Sequence, residues 1–234
     1  MSLIYNNKSK LVEKVFNNVY DKYDVMNDIM SLGAHRLWKK NLVSWINPLK
    51  NSKIIDVASG TGDIAKLCSD YTNNECDIYC VEPNKNMILK GKEKLKDQKN
   101  LRWVLASAEK LPFKDDTFDF YVISFGIRNV TNFDKSLQEA MRVLKKGGRF
   151  FCLEFSKIQN QNLEILYKNY SKIIPSIGKI VVGESKPYEY LIESIENFVN
   201  QEELIEILKS NKFYKPIYKN LSGGIVSIHS GWKI

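Results

Sequence analysis

The sequence predicts an α/β fold: a mostly parallel sheet with helices on both faces. Three observations carry that prediction. Short apolar runs alternate with amphipathic stretches from residue 53 onward, a glycine-rich turn follows the first run, and the last two runs are joined by a short glycine turn. Strand–helix alternation implies parallel strands, because each crossover must be long and right-handed.

Residues 53–59 (KIIDVAS) read as a buried strand, leading through Gly60-Thr61-Gly62 into a helix that runs to Asp70. Residues 76–82 form a second strand and 84–97 a lysine-rich helix. Strands at 101–107 and 118–125 (FDFYVISF) follow, then a helix over 134–145 ending at Gly147-Gly148, then a fifth strand at 149–155 (RFFCLEF). The rhythm then breaks. Residues 161–211 read as helical, interrupted at Pro175, Gly178, Gly183 and Pro187. Strands at 213–219 and 224–230, joined through Ser222-Gly223-Gly224, form an antiparallel hairpin at the sheet edge. Residues 1–46 are an N-terminal helical segment. No repeat or low-complexity linker divides the chain. It reads as one domain, 1–234, with helical additions at 1–46 and 157–212.

The 234 residues are 44% hydrophobic and 26% charged, which is ordinary for a soluble globular protein. No run approaches the roughly 18 apolar residues of a membrane span. The first ten residues carry neither a secretory nor a transit signature. Net charge is +8. The lysines, such as Lys90, Lys92, Lys94, Lys96 and Lys99, are dispersed and not interleaved with aromatics as a nucleic-acid groove would require. They read as solvated helix faces, with attraction to an anionic surface as the alternative. Cys68, Cys76, Cys80 and Cys152 have no histidine nearby and no zinc spacing, so they read as buried thiols and no metal is expected.

The stretch Asp56-Val57-Ala58-Ser59-Gly60-Thr61-Gly62 ends the first strand and opens a helix. Glycines there let the backbone approach a ligand. Gly60, Gly62 and Ala65 also fit a dinucleotide pattern. Glu82, at the end of the second strand, can accept hydrogen bonds from ribose hydroxyls. That serves NAD and S-adenosylmethionine equally. Asp56 before the glycines and Asp63 at the helix start favour S-adenosylmethionine, because both would repel a pyrophosphate and tolerate a cationic methionyl group. Ala106-Ser107-Ala108, followed by Glu109-Lys110-Leu111-Pro112-Phe113, offers small residues beside an adenine, with Leu111 and Phe113 closing over the ring.

Two longer stretches narrow the reading. One is YDVMNDIMSLGAHRLWK at 23–39; the other is SFGIRNVT at 124–131, running on to Arg142-Val143-Leu144-Lys145, Gly147-Gly148 and Leu153-Glu154-Phe155-Ser156. Tyr190-Leu191-Ile192-Glu193-Ser194-Ile195, Gln201, Asn220-Leu221 and 224–229 (GIVSIH) extend them. Through these residues the sequence resembles the ubiquinone/menaquinone biosynthesis C-methyltransferase family, a branch of the class I methyltransferases, over 12–234. The resemblance implies a Rossmann-like, seven-stranded sheet whose last strand is antiparallel. It implies S-adenosylmethionine as cosubstrate, contacted by Thr61, Glu82, Ser107-Ala108 and Ser124. Many relatives carry Asp at the place of Glu82, and Asn or Asp at that of Ser107.

The implied reaction is methylation of a ring carbon in a prenylated benzoquinol or naphthoquinol. The alternatives are another small-molecule acceptor, or a non-catalytic cofactor-binding subunit of a quinone-biosynthesis complex. The resemblance assigns a water-mediated base role to Arg128, helped by Asn129 and Tyr23. Arg128 follows the fourth strand at its carboxyl end, where open α/β sheets bind ligands. His35 is the alternative base, and His229 reads as structural. The apolar residues Leu163, Leu166, Tyr167 and Tyr170 recur at helical spacing and suit a prenyl tail, with Lys168, Lys172 and Lys179 beside them for anionic headgroups. The expected setting is peripheral to a membrane: the cytoplasmic face of a bacterial inner membrane, or the matrix side of the mitochondrial one. The chain is expected alone, as a homodimer or in a complex.

Overall fold

The computed structural model describes residues 23–183 and 185–234. Helices α1 (Tyr23–Ser31) and α2 (His35–Ile46) precede the sheet. Then come β1 (Lys53–Val57), α3 (Asp63–Tyr71), β2 (Asp77–Glu82), α4 (Lys85–Lys94), β3 (Leu101–Leu105), β4 (Phe118–Ser124), α5 (Phe133–Val143) and β5 (Leu144–Phe155). Helices α6 (Gln161–Val182), α7 (Lys186–Glu196) and α8 (Gln201–Ser210) follow, then β6 (Tyr214–Leu221) and β7 (Val226–Trp232). Residues 1–22 of the expected N-terminal segment lie outside the described residues.

The seven strands lie in the order β3-β2-β1-β4-β5-β7-β6. Strands β1 to β5 pair in parallel, and β7 is antiparallel to both β5 and β6. The fold is therefore Rossmann-like α/β. Alternate residues of the central strands feed two cores, as a sheet covered on both faces requires. Ile55, Tyr121, Ile123 and Phe150 pack with Leu137 of α5 and with Leu204 and Leu208 of α8. Ile54, Val122, Phe151 and Leu153 pack with Leu42 and Ile46 of α2 and with Ile64 and Cys68 of α3.

Asparagine side chains start four of the helices: Asn84, Asn132, Asn160 and Asn200 each accept backbone N–H bonds that the first turn leaves unpaired. Several boundaries differ from expectation. The helix expected to reach Lys145 stops at Val143, and Gly147-Gly148 lie inside β5, where the register slips between Phe118 and Phe120 of β4. The glycines form a bulge in a strand instead of ending a helix. Helix α4 ends at Lys94 and β3 at Leu105, both short of their expected limits.

The helical addition differs as well. Helix α6 runs unbroken through Pro175 and Gly178. Packing overrides the local cost of the proline: Ile174 is fully buried with Met30, Tyr188 and Leu191. Gly178 marks a close approach, since a Cβ there would sit 2.3 Å from the Tyr188 ring of α7. The helix stops at Gly183, which is left-handed at φ 90°, and Pro187 occupies the first turn of α7. Among the described residues, no helix is long and apolar enough to cross a membrane.

Candidate active site

The strand order reverses direction between β1 and β4, and their carboxyl ends lie side by side, with Val57 opposite Ile123. A crevice at this point is where open α/β sheets bind ligands. Here it is lined by Lys39, Asp56, Ser59, Thr61, Ser124 and Phe125, among others. Two non-glycine residues on its walls, Ala58 and Phe125, are left-handed at φ 54° and 55°. Such backbone costs about 1–3 kcal/mol and persists where surrounding packing holds it, typically at functional sites.

Expected residues meet here from separate strands. Asp56 is fully buried in β1, and Gly60, Thr61 and Ser124 line the crevice with it. Gly62, left-handed at φ 85°, caps α3; a Cβ there would meet Leu95 at 2.8 Å and Trp103 at 2.9 Å. Glu82 reaches the glycine turn from β2. Its Oε2 accepts from the Gly60 N–H at 2.9 Å and its Oε1 from the Asn84 N–H at 3.0 Å. Burial pushes Asp56 up to about 8 and Glu82 up to about 7.

The expected role of Asp63 as bare negative charge is not what the fold provides. Lys39 donates to its Oδ2 at 2.6 Å and Lys94 to its Oδ1 at 2.8 Å. Burial opposes its ionisation, but the two lysines outweigh burial and hold it well below the usual carboxylate range. The expected closure of Leu111 and Phe113 over an adenine also fails. Leu111 is buried in the core, and Phe113 packs edge-on against Tyr79 and Phe118, at 5.4 and 4.9 Å between ring centroids. Their loop is tied down by Arg142, which donates to the Phe113 and Leu111 carbonyls at 2.7 and 3.0 Å. Ala108 is buried in the same core, and Ser107 pairs with Lys110 in an isolated bridge; neither lines the crevice.

Beyond Ser124, the short helical turn Ile127–Asn129 carries Arg128. Arg128 is buried. Its Nη1 donates to the Phe125 carbonyl at 2.8 Å and to Glu154 Oε1 of β5 at 2.7 Å, and its Nε to Ser194 Oγ of α7 at 3.3 Å. Glu154 is 1% exposed, and its Oε2 has no hydrogen-bond partner among the described residues. Burial holds the Glu154 carboxyl above its ordinary value, with Arg128 offsetting part of that. Asn129 Oδ1 accepts from the Tyr190 hydroxyl at 3.0 Å. Glu154, Tyr190 and Ser194 stand in the sequence only as part of the resemblance, with no role assigned, and their contacts with Arg128 and Asn129 come from the fold. The side chain of Tyr23 lies outside the described residues.

The histidines sit apart from this cluster. His35 faces Asp28 at 3.0 Å through Nε2, and burial, then Lys39, lower its pKa. His229 lies in β7 against the Gln201 carbonyl at 3.0 Å, and burial pushes it down to about 4.

The residues of the crevice fit S-adenosylmethionine. Asp56 Oδ2, Ser59 Oγ and Ser124 Oγ are buried without hydrogen-bond partners among the described residues, and buried polar atoms of this kind are normally paired. The sheet order, the crevice and these polar atoms together define a class I methyltransferase. The chain belongs to the ubiE/COQ5 methyltransferase family, whose model matches residues 4–233. It is 51% identical over 236 residues to the ubiquinone/menaquinone biosynthesis C-methyltransferase UbiE of Rickettsia massiliae, covering 97% of this chain and 94% of that one. It is 49% identical over 237 residues to its counterpart in Rickettsia bellii, covering 98% and 95%. Among solved structures, an S-adenosylmethionine-dependent methyltransferase from Thermotoga maritima matches the fold with a TM-score of 0.67 at 19% identity, over 95% of this chain and 99% of that one. The protein is thus an enzyme, a C-methyltransferase whose methyl donor is S-adenosylmethionine.

Proposed function

We propose that this enzyme methylates a ring carbon of a prenylated benzoquinol or naphthoquinol in ubiquinone or menaquinone biosynthesis. The observation that carries the reading is the seam at Phe125. Phe125 lines the crevice, and its carbonyl accepts from the Arg128 guanidinium, so the two groups of residues meet at this one position. Donor and acceptor sites then share a wall, as in-line transfer demands.

S-adenosylmethionine supplies the methyl on a sulfonium, which leaves as a neutral thioether. The chain's residues do the rest. Asp56, Gly60, Thr61, Gly62 and Ser124 hold the donor, and Glu82 takes its ribose hydroxyls. The ring carbon becomes nucleophilic when the neighbouring hydroxyl loses its proton. Arg128 stabilises the developing phenolate and, with Asn129 and Tyr23, orders the water that accepts the proton. The ring then loses the hydrogen from the methylated carbon and regains aromaticity. The guanidinium itself stays protonated.

Exposed Ile165, Leu166, Ile173 and Ile180 on α6, with Lys172 and Lys179 nearby, support peripheral contact with an anionic membrane, at the cytoplasmic face in a bacterium. The test is turnover with short-chain demethylated benzoquinol and naphthoquinol, followed by flotation with anionic liposomes. Methyl transfer to neither quinol removes the substrate assignment. Absence of salt-sensitive co-flotation removes the membrane contact.

A further inference from the structure

Lys39 is an unusual residue to find in the wall of the donor crevice. It comes from α2, outside the strand–helix core, and is 8% exposed. Burying an ammonium is costly unless it is paired. Its partner Asp63 is already shared with Lys94, which also lies 3.5 Å from Thr61 Oγ1. Asp63 is thus shared by two ammonium groups, and Lys39 keeps N–H donors that Asp63 does not take. The opposite charge type stands in the same crevice: Asp56, fully buried, with Oδ2 unpartnered among the described residues.

From this arrangement the geometry points to Lys39 as the residue that binds the α-carboxylate of the donor's methionyl end, with Asp56 taking its α-ammonium. An amino-acid zwitterion carries both charges, and the crevice presents a complement to each. An ammonium has three N–H donors, so one can stay on Asp63 while another meets the ligand. The α3 N-terminus, whose cap Gly62 supplies no side-chain acceptor, adds favourable potential for the same carboxylate.

The position of Lys39 is held by its neighbours. Trp38 donates through Nε1 to Ser222 Oγ at 2.8 Å, and its ring packs 6.3 Å from Phe125 and 6.1 Å from Phe155. Leu42, one turn on, is fully buried. Helix α2 is therefore pinned to the carboxyl ends of β4 and β5, and Lys39 is presented from a fixed scaffold. The α2 helix becomes part of the donor site and not only a cover for the sheet.

The inference rests on the donor lying in this crevice, and the experiment separates the two ideas. Calorimetry with S-adenosylhomocysteine and its decarboxylated analogue is run on wild type, Lys39→Met, Lys39→Arg and Glu82→Ala. Wild type should bind the carboxylated ligand at least about tenfold better, the usual scale of a charge-assisted bond. Lys39→Met should erase most of that preference by weakening S-adenosylhomocysteine alone, and Lys39→Arg should keep it. Lys94 still faces Asp63 in Lys39→Met, so the carboxylate is not stranded. Equal weakening of both ligands would make Lys39 a scaffold residue and overturn the assignment. A wild type without preference overturns it without any variant. Glu82→Ala binding S-adenosylhomocysteine as wild type does would instead displace the donor from this crevice, whatever the Lys39 variants do.

Discussion

The two halves of the active site are built differently. The proposed donor half is made where β1, β2 and β4 end, and three of its buried polar atoms, Asp56 Oδ2, Ser59 Oγ and Ser124 Oγ, have no hydrogen-bond partner among the described residues. The proposed acceptor half is made where β4, β5 and α7 meet, and its charges are paired with one another: Arg128 donates to Glu154, Phe125 and Ser194. The contrast teaches that an unpaired buried atom and a paired buried ion respond oppositely to mutation. Removing the first costs ligand affinity. Removing half of the second costs the fold as well, because the remaining charge is left buried and alone.

The largest expected effect tests that difference. Arg128→Ala should slow methyl transfer by about a hundredfold or more while donor affinity stays nearly intact. It should also lose about 3–5 kcal/mol of stability, because Glu154 is stranded. Adding Glu154→Gln should restore much of the melting temperature and none of the rate. Recovery of both would make Arg128 purely structural; loss of donor affinity with the rate would assign it to the donor cleft.

Next in size is Glu82→Ala, expected to weaken donor binding by about 1–3 kcal/mol, the worth of a charge-assisted hydrogen bond. Calorimetric titration on folded variant reads it directly. Gly178→Ala should have the converse profile. Its Cβ would press on the Tyr188 ring, so thermal unfolding should show a loss of about 1–3 kcal/mol from overpacking, with unchanged affinity for S-adenosylhomocysteine. If donor binding falls with it, the two halves are coupled through α6 and α7, and the contrast narrows.

The smallest effect is in protons. Asp56 at about 8 and Glu82 at about 7 are raised by burial, so the ligand-free fold retains protons that the unfolded chain has released above its ordinary carboxylate values. Their contribution is therefore fully present below about pH 4, falls as pH rises past the ordinary carboxylate values, and is gone above about 7 for Glu82 and about 8 for Asp56. Melting temperature should decline over that window, and Asp56→Asn should flatten the decline. Donor binding near pH 7 should release up to about one proton, because a cationic ligand favours the ionised Asp56. Titrations in buffers of different ionisation heat would measure it, and zero release would mean that Asp56 does not meet a cation.

The same contrast explains what could be read from the chain alone. Strands β1, β2 and β4 were legible to within two residues, because parallel strands buried on both faces are unbroken apolar runs. The places of Asp56 and the glycine turn at the end of β1, and of Glu82 at the end of β2, were legible because each closes an apolar run. Pro175 and Gly178 misled, since their meaning depends on Ile174 and Tyr188 packing across two helices. Phe113 misled for a related reason: Tyr79 and Phe118 claim it for the core. Lys39, Glu154 and Ser194 carried no local signal. They reach their partners across 24, 26 and 66 residues of chain, distances that only the finished topology closes.

The position of β7 has a consequence for how the protein is made. It fills the place between β5 and β6, so the outer edge of β5 is completed only by residues 226–232. Arg149 and its partner Ser230 are 81 residues apart. On a ribosome adding about 5–20 residues per second, the edge carrying Phe151 and Leu153 stays open for roughly 4–16 s before its partner is even synthesised. An unpaired apolar edge is a template for pairing with other chains. The nascent enzyme thus passes through an interval in which its central sheet can recruit a neighbour, and chaperone supply during synthesis should govern its yield more than the stability of the finished fold.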